Sequence, residues 1–164
     1  MTRPDTTQSD AFVFFGATGD LAFKKIFPAL QALVKRDRLD IPVVGVAKAG
    51  YTREMLVNRA RESLVAAKCL DEEAFTKLAS HIRYVDGDYN DPHTFQQIRT
   101  QLATASRPIH YLAIPPSMFP TVVHRLHEAG CKQCKGAGED VAVQSEHEFL
   151  LSHIGNTAWR RSAA

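Results

Sequence analysis

Short apolar runs alternate along this chain with longer stretches of helical period. Ala11 to Phe15, Ile41 to Ala47 and Ile109 to Ile114 are nearly continuous in apolar residues and rich in aromatic and β-branched side chains. Such runs suit strands buried on both faces of a parallel sheet. Ile82 to Val85 is a further strand candidate. Between them lie amphipathic segments. Lys24 to Lys35 carries Ile26, Ala29, Leu30, Leu33 and Val34 at helical spacing, with Pro28 in the first turns, where it is tolerated. Thr52 is placed to cap a helix running to about Lys68, with Met55, Leu56, Ala60, Leu64 and Val65 on one face. Asp71 caps another, with Glu72 and Glu73 in its first turn and Phe75, Leu78, Ala79 and Ile82 inward. Asp91-Pro92 opens a helix through Phe95, Ile98 and Leu102. Ser117 to Ala129 repeats the pattern with Met118, Val122 and Leu126. The order β-α-β-α-α-β-α-β-α predicts an α/β fold with a parallel, doubly wound sheet.

The pattern changes after Cys131. Cys131 to Asp140 is short of large apolar residues and rich in Lys and Gly. Val141-Ala142-Val143 is a strand candidate, Glu146 to Ile154 reads as a short helix stopped by Gly155, and Trp159 to Ala164 as a frayed end. Met1 to Asp10 is polar and reads as a disordered lead. The expected organisation is a lead over 1–10, one folded domain over 11–131, and a separate tail over 132–164.

The junction between the first strand and the first helix carries the chemistry. There the chain reads Phe15-Gly16-Ala17-Thr18-Gly19-Asp20-Leu21-Ala22, a Gly-x-x-Gly-x-x-Ala spacing. Gly16 can adopt backbone angles closed to other residues and so turn the chain at the strand end. Gly19, without a Cβ, lets a phosphate approach the main chain, and a small residue at Ala22 lets helix and strand pack closely. The helix start behind the bend presents unpaired N–H groups and the positive end of its dipole to an anion. These features predict a Rossmann-like dinucleotide site. The spacing by itself also fits a plain strand-to-helix turn.

Composition narrows the field. The 164 residues suffice for one domain with a sizeable core. There is no apolar run of membrane-spanning length and no signal-peptide core at the N-terminus, so a cytoplasmic location and no membrane partner are expected. A formal net charge of +2 gives no case for nucleic acid. Three cysteines make no disulfide framework. Cys69, closing an amphipathic stretch, is expected to be at least half buried. His124, His127, Cys131 and Cys134 hold ligand-type residues close together, but the spacing is short for zinc and the histidines sit on an exposed-looking face; solvated histidines with incidental thiols are the preferred reading, and no metal site is assigned. Cys131-x-x-Cys134 follows a helix rather than opening one, unlike a redox pair. His110, in a strand, reads as a hydrogen-bonded structural residue, and no catalytic triad is visible.

The second strand indicates which dinucleotide. NAD sites place a carboxylate at its end to accept the ribose hydroxyls; NADP sites place a cation there for the 2′-phosphate. Here the strand ends Val46-Ala47-Lys48-Ala49-Gly50, with no acid and with Lys48, which favours NADP, although Lys48 also fits an ordinary surface lysine.

Four blocks then resemble one family in the right order: Phe15 to Leu30, Val44-Gly45-Val46-Ala47-Lys48, Gly87-Asp88-Tyr89-Asn90-Asp91, and Tyr111-Leu112-Ala113-Ile114-Pro115-Pro116-Ser117-Met118-Phe119. Over roughly Asp10 to Cys131 the chain resembles glucose-6-phosphate dehydrogenase. The resemblance implies oxidation of glucose 6-phosphate at C1, with a hydride passing to NADP and the 6-phosphogluconolactone as product. It implies cofactor contacts from Gly16, Ala17, Thr18, Gly19, Asp20, Leu21, Ala22 and Phe23 in the phosphate turn. It further implies Lys48 toward the 2′-phosphate in place of the usual arginine, Asp88 and Tyr89 against the cofactor, and Phe119 nearby. Lys25 resembles a lysine at the mouth of the sugar-phosphate pocket.

The chain departs from that family after its last helix. The Glu-Lys-Pro motif expected on a following strand is absent, and Lys135, between Cys134 and Gly136, does not replace it. No counterpart of the substrate domain with its histidine base is present, so no catalytic residue is assigned and the sheet is expected to be incomplete. The tail from Lys132 to Ala164 reads like another reading frame or a truncated product. The expectation is a cofactor domain inactive alone and of marginal solubility, with homo-oligomers only where the missing domain is supplied. A non-catalytic dinucleotide-binding sensor is the other reading, although the Tyr-x-x-x-Lys pair of reductase-like folds is absent. A pseudogene product is the third.

Overall fold

The computed structural model describes residues 9–131 and the backbone of Val141–Ala142. Strands β1 (Ala11–Phe15), β2 (Val43–Ala47), β3 (Ile82–Asp86), β4 (Pro108–Leu112) and β5 (Val141–Ala142) form one sheet in the order β3-β2-β1-β4-β5. Every pairing is parallel. The helices are α1 (Phe27–Lys35), α2 (Arg53–Ala66), α3 (Glu72–His81), α4 (Pro92–Leu102) and α5 (Phe119–Glu128). This is the α/β, Rossmann-like order expected from the pattern. Two residues of the strand candidate at Val141 pair with β4, opposite His110 and Tyr111. Val143, the Glu146–Ile154 helix, the frayed end, Cys134 and Lys135 lie outside the described residues, as does the lead through residue 8.

The winding is visible in β1. Its side chains alternate between two cores, as strand geometry requires. Phe12 and Phe14 face one core with Leu30, Leu33, Leu56, Leu64 and Leu78. Ala11, Val13 and Phe15 face the other with Phe95, Ile98, Val122 and Leu126. Helices α1, α2 and α3 therefore cover one face of the sheet, and α4 and α5 the other. All five residues of β1 and all five of β2 are buried, as for strands sandwiched by helices.

Local signals set the boundaries. The Thr52 hydroxyl accepts the Met55 N–H at 3.3 Å, Asp71 accepts that of Ala74 at 3.0 Å, and Asp91 that of His93 at 2.9 Å. On α2 the buried stripe is Leu56, Ala60, Ser63 and Leu64. Met55 and Val65, expected on that face, are 44% and 57% exposed. Each lies one residue, about 100° of helix, off the stripe and so turns toward solvent. Cys69 is exposed rather than half buried: it follows the end of α2 and gives its carbonyl to the Gln31 side chain at 2.7 Å. Among the described residues no helix is long and apolar enough to cross a membrane.

Candidate dinucleotide site

With the order 3-2-1-4-5, the first half of the chain winds to one side of β1 and the second half to the other. The crevice opens where the two diverge, at the carboxyl ends of β1 and β4. Gly16 sits there, immediately after β1. Its φ is +82°, and a Cβ at this position would lie 2.1 Å from the Ala113 carbonyl oxygen on the exit of β4. Both the turn and the closeness of the neighbouring strand therefore demand glycine. The Ala113 N–H donates to the Phe15 carbonyl at 3.0 Å, which holds the two strand exits together.

The bend behind Gly16 is tied down internally. The Gly16 and Ala17 N–H groups both donate to the Val46 carbonyl, at 2.9 and 3.1 Å, and the Gly19 N–H donates to Gly16 at 3.0 Å. A helical run opens at Asp20, with the Phe23 N–H returned to the Gly19 carbonyl at 3.1 Å. The first-turn amides on the accessible side are therefore those of Asp20 and Leu21, exposed and half-buried, while Ala22 is buried against the core. A Cβ added to Gly19 would meet only the Gly16 oxygen, at 3.2 Å. Apart from that oxygen the Cβ direction of Gly19 is clear, which fits a phosphate approaching the main chain there.

The same run widens to a π-helical turn over Ala22–Ile26 before continuing as α1. The Phe27 N–H reaches back to the Ala22 carbonyl. The widened turn comes just before Pro28, which has no N–H to return to the carbonyl four residues back. Ala22 is fully buried against the core and Phe23 half-buried; Lys24 and Lys25 are exposed.

Tyr89 reaches the bend from the loop after β3. Its hydroxyl accepts the Gly16 N–H at 2.9 Å and donates to the Val46 carbonyl at 3.2 Å. Its ring packs edge-on against Phe15, 5.7 Å between centroids. Burial pushes its pKa up, so it stays a neutral donor.

At the end of β2, the Lys48 ammonium lies 2.7 Å from the Asp88 carboxylate, 69% and 38% exposed respectively. Lys48, followed by the Asn90 backbone N–H at 2.8 Å, holds the Asp88 carboxyl down at about 2. The structure thus brings together Gly16 through Phe23, Lys48, Asp88 and Tyr89 around one end of the sheet. Phe119, half-buried at the start of α5, packs instead into the second core.

Two residues escaped the sequence reading. Asp86, at the end of β3, accepts the Ala49 and Gly50 N–H groups at 3.0 and 2.9 Å and the Tyr84 hydroxyl at 2.6 Å. It shapes the turn that carries Lys48. Its only sequence signal was an acid at a strand exit. Arg59 of α2 lies 4.9 Å over the Phe23 ring and donates to the Gly19 carbonyl at 3.4 Å, bracing the bend from behind.

The remaining constellations disperse. Cys131 is buried, with its thiol 3.6 Å from the Phe95 carbonyl, and burial pushes its pKa up to about 11. His124 is exposed beside Glu128, 3.3 Å away. Among the described residues no group of metal-ligating side chains is assembled. His110 is fully buried, and its Nε2 is 3.1 Å from the Cys131 carbonyl, as expected of a structural histidine.

A sequence model of the glucose-6-phosphate dehydrogenase NAD binding domain matches residues 13–143. The chain belongs to this family. The match runs past Cys131, through β5. Glucose-6-phosphate 1-dehydrogenase 1 of Mycobacterium tuberculosis is 38% identical over 118 residues, covering 72% of this chain and 25% of that protein. The cytoplasmic glucose-6-phosphate 1-dehydrogenase 6 of Arabidopsis thaliana is 34% identical over 126 residues, covering 68% and 24%. The crystal structure of glucose-6-phosphate 1-dehydrogenase from Mycobacterium avium superposes with a TM-score of 0.72 at 39% identity, over 74% of this chain and 27% of its own. The chain therefore spans about a quarter of the length of these relatives.

Proposed function

We propose that this chain is the NADP-holding part of a glucose-6-phosphate dehydrogenase, in which the sugar phosphate is oxidised at C1 and the hydride passes to NADP. The observation that carries this reading is the glycine bend at Gly16, with an uncluttered Gly19 and a helix start behind it, placed where the sheet changes its winding direction. Asp20 and Leu21 would give their N–H groups to the pyrophosphate, with Ala22 packed behind them. Lys48 would meet the 2′-phosphate as a point charge, without the bidentate fork of an arginine. Tyr89 would keep the bend in shape, Asp88 would lie beside the adenosine ribose, and Phe119, packed on the second core, would come near the cofactor only from its partly exposed side. Exposed Lys25 would meet the phosphate of the sugar.

The cofactor supplies the hydride acceptor. The protein must also take a proton from the sugar hydroxyl, with a base within hydrogen-bond reach. Among the described residues none is assigned that role. This chain by itself is expected to bind dinucleotide without turning over glucose 6-phosphate. Calorimetric titration of the full chain with NADP and with NAD tests the reading. Saturable binding of NADP, weakened in Lys48→Met while NAD binding persists, supports it. No heat with either dinucleotide overturns it.

A further inference from the structure

We propose that Asp88 sets the dinucleotide preference of this site: paired with Lys48, it offsets the cation that would single out a 2′-phosphate, so NAD and NADP are held with similar affinity. The inference rests on the dinucleotide reading above and concerns selectivity within it.

Three observations carry it. The first is distance: the two charges are 2.7 Å apart. A phosphate reaching Lys48 must either share it with the carboxylate or displace it. In the first case two anions crowd one ammonium, and in the second a charge-assisted hydrogen bond is lost. The second is anchorage. Asp88 is not a side chain free to swing aside, because its other oxygen accepts both the backbone and the side-chain N–H of Asn90, at 2.8 and 3.1 Å. The third is place. Lys48 directly follows β2, where dinucleotide folds read the ribose, and a carboxylate at that point accepts hydrogen bonds from unmodified ribose hydroxyls. Asp88 comes from the loop after β3, yet reaches the position that the second strand would otherwise supply. Its two oxygens offer about four lone-pair sites, and three N–H donors leave room for a hydroxyl.

The other acid at this end of the sheet has a different task. Asp86 accepts the Ala49 and Gly50 amides and the Tyr84 hydroxyl, so it holds the turn and leaves Lys48 to Asp88. One ammonium and one carboxylate thus face the ribose edge together, with no net charge between them.

The experiment is parallel titration of the full chain and of Asp88→Asn with NADP and with NAD. Asparagine keeps the size and the acceptor oxygen but removes the charge. The expected result is a wild-type ratio of NADP to NAD affinity within about fivefold, rising by about a further fivefold in Asp88→Asn, the size of one charge acting on another about 4 Å away through water, as suits so exposed a pair. A wild-type preference for NADP above about a hundredfold, or an unchanged ratio in Asp88→Asn, overturns the inference while leaving the dinucleotide reading intact. If Asp88→Asn does not fold, Asp88→Ser is read in the same way, and the wild-type ratio alone already decides against a strong selector. Absence of binding by either dinucleotide overturns the site reading and this inference with it.

Discussion

The Tyr89 hydroxyl lies 2.9 Å from the Gly16 nitrogen, 73 residues away along the chain. It also bonds the Val46 carbonyl, so one side chain joins the ends of β1 and β2 beneath the phosphate bend. Tyr89→Phe keeps the ring against Phe15 and removes only the hydroxyl. The Gly16 N–H retains its bond to Val46, so the expected cost is about 1 kcal/mol, measured by denaturant unfolding. NADP and NAD affinity should fall together, because the bend serves the pyrophosphate common to both. A selective loss of NADP would count against that role.

Gly16→Ala should be far more damaging. At φ +82°, with a Cβ 2.1 Å from the Ala113 oxygen, alanine meets both backbone strain and a hard steric block. The two strand exits must move apart, at a cost of about 2–5 kcal/mol. A thermal melt reads this directly. A variant as stable as the wild type would mean that the bend has another conformation in solution.

The Lys48–Asp88 pair makes a prediction about pH. Asp88 titrates at about 2 in the folded chain, below its ordinary 3.8. A group whose folded value is depressed stabilises the fold above its ordinary range and loses that contribution as pH falls through the folded value. The pair should therefore be intact at neutral pH and come apart between about pH 4 and pH 2. Carboxyl resonances followed by NMR should place Asp88 near the lower limit. Lys48→Met should bring it back toward the ordinary range, since Lys48 is the first of its causes. An Asp88 that titrates normally in the wild type would show that the pair does not persist in solution.

Thiol chemistry separates two cysteines. Cys69 is exposed, whereas Cys131 is buried with its pKa raised to about 11. Because the thiolate is the reactive form, alkylation at pH 8 should modify Cys69 in the native state on the order of a hundredfold faster than Cys131. Peptide-resolved mass spectrometry distinguishes the two. After denaturation the rates should converge.

Much of the architecture could be read from period and caps because those signals are local. The buried runs at Phe12 and Val44, the caps at Thr52, Asp71 and Asp91, and the proline opening α4 each act within a few residues. Met55 and Val65 were misplaced because apolar character alone does not say how wide a buried stripe is; α2 meets the core along a narrow line, and residues at its margins stay wet. Cys69 was misplaced for a related reason: it lies beyond the helix end, where the 3.6 period no longer points inward. The site was legible at Gly16, where one residue must satisfy both a turn and a close approach. It was not legible at Asp86 and Arg59, whose partners Gly50 and Gly19 are 36 and 40 residues distant. Nor was the partnership of Lys48 with Asp88 legible, although each residue carries its own signal, because the register of β2 against β3 alone brings them together.

The placement of β1 in the middle of the sheet has a consequence for how the protein is made. During synthesis Ala11–Phe15 emerges first and can pair with Val43–Val46 early, but its other edge stays bare until Pro108–Leu112 has left the ribosome. Over that interval the apolar β1 segment is therefore protected on one side only, and a chaperone that recognises extended hydrophobic stretches would find its target there.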